Sequence, residues 1–146
     1  MSTTPPYKMT ATYQTNLTAK NANFYYTIAG RNITAPGKVA AGEWIDTIRG
    51  RDWLQVRMQE AVALVTMNAD KIPYTDPGIG RIDSEVRAVL ARAVTNGFLA
   101  SYTVTVPTAA SQALVDKAAR ILRGYSFVAP IQGAIHLTYI TGTLTN

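Results

Sequence analysis

The segment Gly42-Glu-Trp-Ile-Asp-Thr-Ile-Arg-Gly-Arg-Asp-Trp-Leu-Gln-Val-Arg-Met-Gln59 contains two hydrophobic patterns in succession. From Glu43 to Arg49 the side chains alternate between two sets, which favours a β-strand. A helical stripe continued through Ile45 and Ile48 would place Asp52 in the core, which argues against a helix here. The sequence therefore predicts a strand that leads into a helix.

That helix is predicted to begin at Asp52, whose side chain can accept hydrogen bonds from free backbone N–H groups. Gln55 occupies the third helical position, which approximates a capping box. The helix should end near Asn68. Its apolar residues follow three- and four-residue spacing: Leu54, Met58, Ala61, Val62 and Val65.

A second helix is predicted after the loop Lys71–Gly78, with Asp76 as its N-cap and Pro77 at its first position. Asn96-Gly97 should end it. Its apolar stripe is the most regular in the chain: Ile79, Ile82, Val86, Val89, Leu90 and Ala93. Its polar face carries two predicted ion pairs at i,i+4 spacing: Arg81 with Glu85, and Asp83 with Arg87.

Four further segments have the composition of β-strands. Phe24–Ala29 precedes Gly30 and predicts a strand followed by a short hairpin or loop. Tyr102–Val106 alternates and stops at Pro107, and a short helix is expected between Ala109 and Leu122. The remaining two strands lie at the end of the chain: Tyr125–Ala129 and Ala134–Leu144.

The last of these segments is apolar on both faces. Ile135, Leu137 and Tyr139 share one face, and Ile140 and Leu144 share the other. A long, nearly uncharged terminal strand is a ready edge for pairing with another chain. We therefore predict that these five residues form an inter-subunit strand.

Together these segments predict an α+β fold, with a mixed β-sheet, two main helices packed on one of its faces, and extended terminal arms. Residues 1–20 are rich in Thr, Ser, Pro and Lys. They are predicted to form a flexible or arm-like lead. Residues 21–146 are predicted to form a single domain, since 146 residues suit one core.

The positive charge of the chain is concentrated towards its ends. The formal net charge is +5, yet all nine carboxylates lie between Glu43 and Asp116. Such a distribution favours an anionic partner, either nucleic acid or an acidic protein face. Nucleic acid is disfavoured as a partner because the basic residues are isolated along the sequence.

The sequence contains no catalytic constellation. Cysteine is absent and His136 is the only histidine, so neither a hydrolase triad nor a site of several histidines can be assembled. The glycines of Gly78-Ile-Gly-Arg81 lack the other residues of a phosphate loop. We therefore expect no enzyme activity, no catalytic, cofactor-binding or metal-binding residues and no cofactor. No apolar run reaches the roughly 20 residues of a membrane helix, so no membrane partner is expected.

Four stretches, in this order and spacing, resemble the C-terminal domain of contractile-tail sheath proteins of myovirus-type phages. They are Lys20–Tyr26, Trp44–Leu54, Lys71–Asp76 and Gly133–Leu137. The resemblance extends from about Leu17 to Asn146. It implies a virion protein of the phage tail, assembled in the host cytoplasm.

The resemblance further implies a homo-oligomer, a helical sheath of hexameric rings, that surrounds a tail tube protein. Terminal arms would add strands to the sheets of neighbouring subunits, and contraction during infection would reorient the subunits. Exposed arginines suit an acidic tube surface. The candidates for tube contact are Arg49, Arg51, Arg57, Arg81 and Arg92.

Two alternatives remain open from the sequence. Sheath subunits of this type are several times longer, so the chain could be a C-terminal fragment, a truncated product or a short sheath initiator or baseplate component. The rival from another class is a small basic nucleic-acid-binding protein. A steep salt dependence of binding to DNA or RNA would identify that rival.

Overall fold

The computed structural model describes residues 10–136 and 138–143. Within this part of the chain there are four helices and two antiparallel two-stranded sheets. The α+β class is thus confirmed, but the strands form two separate antiparallel sheets instead of one mixed sheet. The chain divides into two compact units, residues 1–53 and 54–146.

The first unit begins with helix α1, Ala11–Ala19. Thr10 caps it, since its side-chain oxygen accepts a hydrogen bond from the Tyr13 N–H at 3.3 Å. This helix corrects the expectation of an extended or flexible lead over residues 11–19. Threonine-rich sequence is a poor indicator of helix by propensity, and the capping contact supplies a helix start that composition did not predict. Residues 1–9 lie outside the described part.

Strands β1 (Phe24–Ile28) and β2 (Arg31–Ala35) form a hairpin, one of the two alternatives that the sequence left open after the predicted strand. Ile28 pairs with Arg31, so the turn consists of Ala29 and Gly30. Both turn residues have positive φ, 48° and 76°, which is the geometry that a tight two-residue hairpin turn requires.

The segment after the hairpin is held by the side chain of Asn23. Its Oδ1 accepts hydrogen bonds from the Gly37 N–H at 2.7 Å and the Lys38 N–H at 3.1 Å. Its Nδ2 donates to the Lys38 carbonyl at 2.7 Å. Lys38 also forms an isolated bridge with Trp44, and its ammonium lies 5.1 Å from the Trp44 ring centroid. These contacts fix the chain where it enters the next helix.

Helix α2 extends over Ile45–Met67, so the predicted strand at Glu43–Arg49 is wrong, and so is the predicted helix start at Asp52. The less exposed stripe continues from Leu54 back through Gly50 and Thr47. Asp52 therefore lies on the exposed side, and the argument that a helix would bury it does not hold. The predicted stripe beyond Asp52 is half-buried throughout: Leu54, Met58, Ala61, Val62 and Val65.

Helix α3, Asp76–Thr95, provides most of the core of the second unit. The buried hydrophobic side chains among the described residues are Ile79, Val86, Val89, Leu90, Ala93 and Leu99. Five of these six belong to the predicted stripe, and Ile82 is half-buried. Asn96 caps the carboxyl end and Gly97 follows with φ 73°, as predicted.

The amino-terminal cap of α3 differs from the prediction by one residue. Thr75 is the N-cap, and its side chain accepts from the Gly78 N–H at 3.3 Å. Asp76 is instead inside the helix, and its Oδ1 accepts from the Ala109 N–H at 2.6 Å. Both residue types suit a cap, so sequence alone did not separate them.

The remaining elements of the second unit are short. Strand β3 (Thr103–Thr105) pairs antiparallel with β4 (Ser126–Val128), and helix α4 covers Leu114–Ala118 between them. All three occur within segments that the sequence predicted. None of the helices among residues 10–136 and 138–143 combines the length and the apolar character that a membrane crossing demands.

Candidate assembly surfaces

The carboxyl-terminal segment is anchored up to Gln132. The Gln132 N–H donates to the Phe98 carbonyl at 2.8 Å, and the Ala100 N–H donates to the Pro130 carbonyl at 2.9 Å. Leu99 and Ile131 form an isolated antiparallel bridge between these two contacts. Residues 130–132 are therefore paired antiparallel with residues 98–100, which come just after α3.

Beyond Gly133, residues 134–136 and 138–143 belong to no helix or strand of the isolated chain. Ile135, Tyr139 and Ile140 are 88%, 87% and 90% exposed. Leu137 and Leu144, the other two residues of the predicted inter-subunit strand, lie outside the described residues. The described apolar side chains are thus exposed to solvent and have no cover within their own chain.

The five candidate arginines are all exposed. Arg49, Arg51 and Arg57 belong to α2, and Arg81 and Arg92 belong to α3. Arg57 is partly neutralised, because its Nη1 lies 2.6 Å from Glu60 Oε2. The predicted Arg81–Glu85 ion pair is not among those that the described residues form.

Arg81 and Arg92 share one face of α3. Their separation of eleven residues corresponds to about three turns, or about 16 Å along the helix axis. The residues between them on that face are Glu85 and Ala88, and both are exposed. The structure therefore places two arginines on the side of α3 opposite its buried stripe.

The predicted Asp83–Arg87 ion pair is confirmed and belongs to a larger polar cluster. Arg87 Nε lies 2.9 Å and 2.8 Å from the two Asp83 carboxylate oxygens. The Tyr125 hydroxyl donates to Asp83 Oδ1 at 2.8 Å. The hydrogen bond from Arg87 to Asp83 raises the pKa of the guanidinium. Burial, followed by the bond to Asp83, raises the pKa of Tyr125. This cluster attaches the residue before β4 to α3.

Among the described residues, no group of three or more histidine, cysteine, aspartate or glutamate side chains is arranged to hold a metal ion. The described His136 belongs to the exposed carboxyl-terminal segment. The surfaces that stand out are therefore apolar and cationic.

A family model described as "E217 tail sheath protein gp31-like, C-terminal domain" matches residues 45–133. The match begins at the first residue of α2 and covers more than half of the chain's 146 residues. A comparison with curated proteins gives no match.

The family match identifies a phage tail sheath structural protein. The chain belongs to the family of E217 gp31-like tail sheath proteins, within their C-terminal domain. This membership confirms the resemblance to a phage tail sheath C-terminal domain over residues 45–133 and assigns the chain to a multi-subunit sheath in the virion tail. The family is a structural one. The matched region ends at Gly133, immediately before the exposed carboxyl-terminal segment.

Proposed function

We propose that this chain is a subunit of a contractile tail sheath that assembles helically around the tail tube, through strands exchanged between subunits. In this proposal residues 134–144 of one subunit pair with a sheet of its neighbour. The role is structural and not catalytic. The subunits form hexameric rings, and they reorient during contraction at infection while the exchanged strands keep them linked.

The observation that carries the proposal is the exposure of the carboxyl-terminal segment. Ile135, Tyr139 and Ile140 are each at least 87% exposed in the isolated chain. Large apolar side chains gathered in one exposed segment mark an interaction surface. Strand addition would pair the segment's backbone N–H and C=O groups, and alternate side chains would set its register.

Both faces of the segment would then need to be covered, because apolar residues lie on both faces of the strand. Within residues 10–136 and 138–143, the two small sheets have two strands each. A two-stranded sheet is marginally stable by itself and gains from a third strand. The described part of the chain therefore contains both an exposed apolar segment and two-stranded sheets that could accept a further strand.

The proposal is tested by deleting residues 134–146 and measuring assembly by sedimentation velocity and electron microscopy. The truncated chain should keep its helical circular dichroism and lose polymerisation. A matched pair of full-length variants separates apolar contact from mere length. Replacement of Ile135, Tyr139 and Ile140 by Ser should weaken assembly, whereas replacement of Thr138, Thr141 and Thr143 by Ser should not. Normal polymers from the truncated chain would refute the strand role.

Contact with the tail tube is the second part of the proposal. The exposed arginines of α2 and α3 supply cationic side chains for an acidic tube surface: Arg49, Arg51, Arg57, Arg81 and Arg92. Exposed charge pairs are individually weak, which suits a contact that must be released when the sheath contracts.

The same experiments separate the alternatives from the sheath role. A sheath initiator or baseplate component would form closed rings that do not extend into sleeves. A nucleic-acid-binding protein would bind oligonucleotides with a steep salt dependence and would not polymerise.

A further inference from the structure

A cleft in the second unit has a cationic mouth and an apolar end. The mouth, about 470 Å³, lies beside the residues that follow α2 and α4. A narrower space of about 180 Å³ shares Thr66, Ile72, Tyr74 and Arg120 with it. The lining of the narrow space includes Ile79 and further apolar side chains. Small-molecule sites usually occupy about 300–1,000 Å³, so the narrow end suits one large side chain better than a cofactor.

Three cations line the mouth: Lys71, Lys117 and Arg120. Within the described part of the chain, none of the three forms an ion pair. Asp70 is the one carboxylate in the described lining of the mouth. The nearby Asp116 is already engaged by Arg123 Nε at 2.8 Å. The mouth therefore has a positive excess that an acidic partner would neutralise.

Arg120 occupies a backbone position that normally belongs to glycine. It has φ 58° and follows the C-cap of α4, where the Ile121 N–H donates to the Asp116 carbonyl at 2.9 Å. The Arg120 N–H donates to the Lys117 carbonyl at 3.1 Å. Helices with this hydrogen-bonding pattern at their carboxyl end usually have glycine at the position after the C-cap, because a residue with a Cβ is strained in the left-handed conformation. Strain of this kind often marks a functional position, and here it accompanies a cation in the cleft.

We propose that this cleft binds the segment Glu43–Asp46 of a second copy of the chain, an inference that rests on the proposed sheath function. Within this segment two carboxylates flank two large apolar side chains, and all four residues are exposed. Neither Glu43 nor Asp46 forms an ion pair with the described residues. Ile45 is 46% exposed.

Charge and shape complementarity assign the contacts. Glu43 and Asp46 face the cationic mouth, and Ile45 enters the narrow apolar end beside Ile79. The two surfaces are unlike, so each copy presents one of them to its neighbour. Such a heterologous contact repeats from copy to copy and generates a helical assembly when the rotation does not close a ring.

Cross-linking tests the contact directly, because the sequence has no cysteine to give background. Glu43→Cys and Lys117→Cys variants are mixed under assembly conditions and treated with a short bismaleimide. Since each variant has one thiol, a mixed dimer reports a contact between copies. The matched control is Glu85→Cys, which introduces a thiol in place of an exposed carboxylate on α3 and should give no mixed dimer with Lys117→Cys.

Charge substitutions give an independent readout. Arg120→Gly removes the cation and keeps the turn, since glycine accepts the positive φ without strain. Lys71→Glu with Lys117→Glu should weaken self-association roughly tenfold, as expected for a few exposed ion pairs. Mixing this variant with Glu43→Lys/Asp46→Lys chains should restore association. The control is Lys20→Glu, which alters an exposed lysine outside the cleft and should leave self-association unchanged.

The outcomes distinguish the cleft contact from the sheath function itself. If the wild-type chain polymerises but the mixed dimer is absent, or the cleft variants associate normally, the cleft proposal is wrong and the sheath function stands. If the wild-type chain does not associate at all, both proposals fail. If the cleft substitutions lower oligonucleotide binding and leave self-association unchanged, the cleft binds nucleic acid instead.

Discussion

The hydroxyl of Tyr125 donates a hydrogen bond of 2.8 Å to Asp83 Oδ1, across 42 residues of sequence. The single Nε–H of Arg87 is shared between the two oxygens of the same carboxylate, at 2.9 Å and 2.8 Å. A single aspartate on α3 thus fixes both a neighbour one turn away and the residue that precedes β4. The β3–β4 sheet is positioned through this contact, and its stability should depend on it.

Replacing Tyr125 by Phe should destabilise the fold at neutral pH by about 1 kcal/mol, the usual contribution of one hydrogen bond. Denaturant unfolding followed by circular dichroism measures the loss. The control is Tyr13→Phe, since Tyr13 is 55% exposed and its substitution should change the unfolding free energy little. Equal effects of the two substitutions would show that the Asp83 contact adds nothing.

The contribution of Tyr125 should also depend on pH. Its folded-state pKa is raised above the ordinary value of 10.0, first by burial and then by the hydrogen bond to Asp83. A raised folded-state pKa gives stability that is complete below the unfolded-state pKa and is lost as the pH rises towards the folded-state value. The difference in unfolding free energy between wild type and Tyr125→Phe should therefore shrink above about pH 10. A difference that is constant or grows there contradicts this assignment.

Replacing Leu90 by Ala should destabilise the second unit by about 2–5 kcal/mol, because Leu90 is 0% exposed and a cavity would remain. Leu64 on α2 is 55% exposed, so Leu64→Ala is the matched control and should change stability by less than about 0.5 kcal/mol. Urea unfolding midpoints compare the two. A large loss for Leu64→Ala would mean that the outer face of α2 is covered in solution.

Two glycines of α3 should respond to alanine in opposite ways. A Cβ on Gly78 would meet the Pro73 carbonyl oxygen far inside contact distance, whereas a Cβ on Gly80 has nothing within 4 Å. Gly78→Ala should therefore destabilise by at least about 1–3 kcal/mol through overpacking. Gly80→Ala should stabilise by about 0.5–1 kcal/mol through helix propensity. Thermal unfolding of both variants tests the pair, and a stable Gly78→Ala chain would show that the Pro73 loop moves freely.

Replacing Arg49, Arg51 and Arg57 by Gln should weaken attachment to purified tail tubes by roughly tenfold and flatten its dependence on salt, because screened contacts between exposed charges would be lost. Arg81→Gln/Arg92→Gln tests the face of α3 in the same way. Lys20→Gln/Arg31→Gln is the control, with two exposed cations of the first unit. Unchanged attachment and salt response in both test variants would remove the arginines from the tube contact.

Local periodicity predicted those elements whose neighbours in sequence are also their partners in space. The stripe of α3, its carboxyl-terminal cap at Asn96-Gly97 and the β1–β2 hairpin all depend on contacts within a few residues. The Asp83–Arg87 pair was predictable for the same reason, since it links successive turns of one helix. These features follow from residue spacing and side-chain chemistry alone.

Contacts between distant residues decided what the sequence alone did not. The segment Glu43–Arg49 is compatible with both the helical and the strand periodicity. It is helical from Ile45 onward in the structure, where Thr47 and Gly50 belong to a half-buried stripe that is not apparent from the short-range alternation. The Tyr125–Asp83 bond and the cleft around Arg120 join segments separated by dozens of residues. The sequence by itself therefore determined the α+β class and the apolar, uncharged character of the carboxyl-terminal segment. Only the tertiary structure decided where α2 begins, which residue caps α3 and which cations share a cleft, because these depend on chain packing and not on spacing.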